Sequence, residues 1–137
     1  MKLNKVQTAC LGIAGLTACV IGSVIALDPA GFYAGYGLNI ETNTDMLSEL
    51  RAPGVNLAVL GAVMLAGVLR ESLRQMAISL GVLVFGAFAG GRILGLLLDG
   101  IPSSSVLIAL SIEVVIALCC LWIYRQQDVN RRKAFNT

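Results

Sequence analysis

The sequence predicts an all-α integral membrane four-helix bundle with both termini cytoplasmic. Four long apolar runs, 6–27, 54–69, 76–98 and 104–124, are separated by polar connections. Of the 137 residues, 57% are hydrophobic and only 13% charged, where a soluble domain usually carries about a quarter. The basic residues also alternate from one connection to the next. Lys2, Lys5, Arg70, Arg74, Arg125, Arg131, Arg132 and Lys133 fall on one side of such a bundle, and Arg51 on the other. Positive charge marks the cytoplasmic face, so both ends are expected there. The opposite face collects Asp28, Glu41, Asp45, Glu49 and Asp99. The length suits one domain, residues 1–137.

The first helix is expected over 6–27. It follows Lys2 and Lys5 and stops at Asp28-Pro29, because proline and the residue before it disfavour further helix. Leu16-Thr17-Ala18-Cys19 matches a lipobox, yet Val20 to Leu27 continues apolar where a mature lipoprotein turns polar. An intact first helix with an unmodified Cys19 is therefore expected. The next connection carries Phe32, Tyr33 and Tyr36 at headgroup level, with Gly31, Gly35 and Gly37 marking turns. Asn43-Thr44-Asp45 supplies caps for a second helix over about 45–70. Its apolar part, Gly54 to Leu69, is only 16 residues, short for a span, so the helix is expected to start near Asp45 with a kink at Pro53. A fresh helix with Pro53 in its first turn is the alternative.

Arg70 to Gln75 reads as a short polar hairpin loop before the third helix, 76–98. That helix holds two G-x-x-x-G pairs, Gly86 with Gly90 and Gly91 with Gly95, a spacing that lets helix backbones approach closely. Asp99-Gly100-Ile101-Pro102 closes it with a turn. The fourth helix, 104–124, ends in the interface anchors Trp122 and Tyr124, and the basic tail beyond is expected to fray.

Ionisable groups inside membrane segments are costly and usually face a bundle interior or cavity. The candidate polar cluster is Glu49, Arg51, Arg92, Asp99 and Glu113. Helical side chains lean towards their own N-terminus, so Arg92 on the outward-running third helix leans inward, and Glu113 on the returning fourth leans outward. Counted from the 98–103 turn they lie roughly 7 Å and roughly 14 Å deep, a gap an arginine can bridge. Either they pair, or Arg92 snorkels to Asp99, seven residues further along its own stripe. A pair would itself be either a register-fixing contact or a functional site. Glu49 and Arg51, two apart, cannot face each other on one helix and would serve separate partners.

No histidine is present, and the four cysteines (Cys10, Cys19, Cys119 and Cys120) lie in or beside apolar runs without C-x-x-C spacing. They read as small hydrophobes. No metal set, cofactor motif or nucleophile–base pair emerges, and nucleic-acid binding has no basic patch to rest on. The order Asp28-Pro29, Glu49-Leu50-Arg51-Ala52, Gly91-Arg92, Asp99-Gly100-x-Pro102 and Glu113 resembles a bacterial group of small four-helix membrane proteins, domain of unknown function 4345. The resemblance runs over roughly residues 6 to 124; Pro53-Gly54-Val55 departs from it, where small residues without proline are the pattern. It implies the fold, a multi-pass place in the bacterial inner (cytoplasmic) membrane and the polar cluster, and no activity. The expected role is a non-catalytic accessory or interaction protein, in contact with membrane lipid and with a membrane-protein partner or a second copy. Transport of a small solute or proton through Glu113 is the alternative. A lipid-modifying enzyme has least behind it.

Overall fold

The structure, a computed structural model, describes residues 3–40 and 43–135, with side chains described to residue 130. Lys2 and Glu41, counted above in the charge pattern, lie outside the described residues. The chain forms helices α1 (Lys5–Leu27), α2 (Pro29–Ala34), α3 (Thr44–Leu69), α4 (Arg74–Leu98) and α5 (Ser104–Phe135). No strand occurs among the described residues. The four long helices are each long and apolar enough to cross a membrane.

Local chemistry accounts for the helix ends. Asn4 caps α1 reciprocally with Gln7: Asn4 Oδ1 accepts from the Gln7 N–H at 2.8 Å, and Gln7 Oε1 from the Asn4 N–H at 3.1 Å. Asp28 stops α1 and also starts α2, its Oδ1 accepting from the Gly31 N–H at 3.0 Å with Pro29 in the first turn. Residues 29–34 are thus a short helix where turns were expected, because a capping acid followed by proline is a start signal as well as a stop. Of the three glycines there, only Gly37 adopts the left-handed conformation, φ +77°. α3 runs unbroken through Pro53, which has no N–H to offer the Glu49 carbonyl four residues back.

Two departures concern the basic side. Arg74 is the first residue of α4 and is buried, its Nε donating to the Gly67 carbonyl at 3.4 Å and its Nη1 to Glu71 at 3.0 Å. A single 3-10 turn, Glu71–Leu73, links α3 to α4. The tail after Tyr124 continues α5 to Phe135 instead of fraying. No glycine or proline interrupts residues 125–135, and Gln127 is anchored, with Nε2 donating to Gln7 Oε1 at 3.4 Å. Both glutamines are only 4% exposed. This contact puts the start of α1 and the end of α5 on the same side of the bundle.

The helices pack as two close pairs. α1 and α3 meet backbone to backbone through glycines seven apart on each helix, Gly15 and Gly22 against Gly54 and Gly61. A Cβ on Gly61 would lie 2.8 Å from both the Cys19 Cα and the Gly15 carbonyl oxygen, and one on Gly22 would lie 2.6 Å from the Gly54 oxygen. α4 and α5 pack through Gly81, where a Cβ would come within 2.7 Å of Cys120 Sγ. The pairs join around Leu11, Met64, Ile78, Cys120 and Ile123, all fully buried. This core lies towards the end closed by Gln7 and Gln127.

The α4 glycines expected to let a second helix approach meet no helix of this chain. Added Cβ atoms at Gly86, Gly90 and Gly91 would meet nothing within 4 Å, and one at Gly95 only Asp99 Oδ2 at 3.8 Å. α4 instead packs through the stripe that holds Ile78, Gly81, Phe85 and Ala89, which rotates the G-x-x-x-G pairs outward.

Candidate functional site

Arg92 and Glu113 come together at the end of the bundle away from the buried glutamines. Arg92 Nε donates to both carboxylate oxygens of Glu113, at 2.8 and 3.0 Å. The opposed leans of α4 and α5 side chains place them so. Their side chains are 28% and 13% exposed, hence partly buried. The Nη1 and Nη2 groups of Arg92 have no protein partner among the described residues. Each nitrogen carries two N–H donors in a planar edge suited to a pair of oxygen acceptors.

A cavity of about 320 Å³ opens beside the pair. It lies between α1, α4 and α5, with α2 along one side. The walls are apolar: Ile21 and Ile25 of α1, Phe85 and Phe88 of α4, and Ile108 and Ile112 of α5. Phe32, Tyr33 and Tyr36 of α2 close one side as a ring cluster, Phe32 lying 5.2 Å from Tyr33, edge to face, and 5.3 Å from Tyr36. The polar end of the cavity is Arg92 and Glu113 themselves. A shallow groove on the outer surface, bounded by Tyr33, Phe88 and Gly91, reaches the same arginine from outside.

The remaining members of the polar cluster are not gathered there. Arg51 reaches back from α3 to the end of α1, where Nη1 donates to the carbonyls of Ala26 and, at 2.9 Å, Leu27. These carbonyls belong to the last turn of α1, which has no intrahelical donors left for them. Asp99 is the exposed C-cap of α4 and stays apart from Arg92. Glu49 is exposed, and neither acid takes an ion-pair partner among the described residues. The aromatic side of the cavity escaped sequence reasoning, which placed those rings at the interface without a helix to aim them.

Opposite its buried stripe, α4 turns Leu83, Gly86, Ala87, Gly90 and Leu94 outward. Among the described residues of the four long helices, exposed glycines occur only in α4; α1 turns out Ile13, Leu16 and Val20, and α5 turns out Val115 and Leu118.

A family model described as Domain of unknown function (DUF4345) matches residues 6–124. No curated protein and no solved structure matches the chain.

Proposed function

The chain belongs to the DUF4345 family, and from that premise we propose that it is a non-catalytic accessory protein of the bacterial cytoplasmic membrane, acting through helix contact with another membrane protein or a second copy of itself. The supporting observation is the outward face of α4, with Gly86, Ala87 and Gly90 set between Leu83 and Leu94. Lipid tails are as apolar as leucine, so a face of small residues gains nothing from lipid that bulky residues would not give. It does admit a second helix to close range. The basic residues on the side of both termini support a cytoplasmic location for the two ends.

Transport through Glu113 is less well supported, since both its oxygens already accept from Arg92. The test is photocrosslinking in native membranes, with a benzophenone side chain at Leu83 or Leu94 on α4 and at Leu16 or Val20 on α1. A discrete protein adduct from the α4 positions alone is the expected result. Equal adducts from both helices, or none from α4, would contradict the accessory role.

A further inference from the structure

We propose that the cavity between α1, α2, α4 and α5 binds a single-chain amphiphile with an anionic oxygen head, carboxylate or phosphate, and that the outer edge of Arg92 holds that head. The cavity has the two halves such a ligand needs. About 320 Å³ of space walled by Ile21, Ile25, Phe85, Ile108 and Ile112 takes an apolar tail. Ligand pockets run from about 300 to about 1,000 Å³, so this one suits one chain better than two. At its polar end, Arg92 spends only Nε on Glu113 and leaves four N–H donors on Nη1 and Nη2 unused among the described residues.

Glu113 shapes the choice of head. It holds the Nε side of the guanidinium, so ligand oxygens would meet the far edge, away from the carboxylate. Planar recognition of two oxygens is what that edge does best, and it favours carboxylate and phosphate over a hydroxyl. The way in is lateral. The groove bounded by Tyr33, Phe88 and Gly91 reaches Arg92 from the lipid side, and Gly91 contributes no side chain to obstruct it. Arg92 is thereby reached both from the cavity and from the surrounding membrane. The aromatic rings of α2 cover the tail from the headgroup side.

The test uses the full chain in lipid nanodiscs and a diazirine-bearing hexadecanoic acid as photoprobe. Labelling should be saturable, should map to cavity residues of α1 and α5, and should yield to competition by hexadecanoic acid or by its single-chain phosphate counterpart, lysophosphatidic acid. Hexadecane, which lacks a head, should compete poorly. Ala109→Phe, which fills the tail space from α5 one turn before Glu113, should lower saturable labelling by about tenfold or more, roughly 1.4 kcal/mol of lost tail burial. Arg92→Met should do the same, and a folded Ala109→Phe variant decides the matter if Arg92→Met is unstable. Labelling that never saturates, that spreads over lipid-facing Val20 and Leu83, that hexadecane suppresses equally, or that survives Ala109→Phe would overturn the proposal.

Discussion

Arg51 of α3 closes the end of α1 by donating from Nη1 to the carbonyl of Leu27 at 2.9 Å, with the Ala26 carbonyl sharing the same nitrogen. A cation there answers both the unpaired carbonyls and the negative end of the helix dipole. Arg51→Met should lower stability by about 1 kcal/mol, the usual scale of such terminal contacts. Arg51→Lys should recover part of it, since a point charge keeps the dipole term and loses the fork. Thermal unfolding in mild detergent checks both; an Arg51→Met variant as stable as the parent would mean that the carbonyls are satisfied otherwise.

The α1–α3 contact leaves no room at its glycines. Gly61→Ala would drive a methyl group into the backbone of Cys19 and should cost about 1–3 kcal/mol, as overpacking does. Gly12→Ala, where a Cβ meets nothing within 4 Å, should be neutral or slightly stabilising because alanine is the better helix former. Ranking the two by thermal aggregation in detergent is sufficient. If Gly12→Ala were the more damaging, the pairing of α1 with α3 would be in error.

These glycines also mark where sequence reasoning reached and where it stopped. The long apolar helices were legible because a bilayer demands unbroken hydrophobic length, and the lean of side chains on antiparallel helices offered the meeting of Arg92 with Glu113 as one of two readings, beside snorkelling to Asp99. The partner of each glycine face was not legible. Spacing shows that a face is small, but not what lies against it, and the G-x-x-x-G pairs of α4 drew attention from the seven-residue spacing shared by Gly15–Gly22 and Gly54–Gly61. That matched spacing on two helices was the available signal. The cap formed by Arg51 depends on a contact 24 residues back along the chain, which no local pattern shows. The α2 helix did have a local signal, since Asp28-Pro29 starts a helix as well as stopping one.

The outward α4 face gives a prediction that separates folding from association. Gly90→Leu should change the stability of the isolated chain by no more than about 0.5 kcal/mol, as other exposed substitutions do. The same variant should lose the α4 crosslink in native membranes, because a leucine there holds an incoming helix away. Strong destabilisation of the purified chain would show that Gly90 packs within the bundle.

Arg92 and Glu113 join α4 to α5 at the polar end of the cavity. The most direct measurement is a double-mutant cycle on unfolding in mild detergent with Arg92→Met, Glu113→Leu and the double variant. Each single change strands a partly buried charge, and the double change removes both, so a coupling energy of about 1–3 kcal/mol is predicted, with the double variant recovering much of the loss. Strictly additive single effects would contradict it and would mean that the two residues do not hold each other.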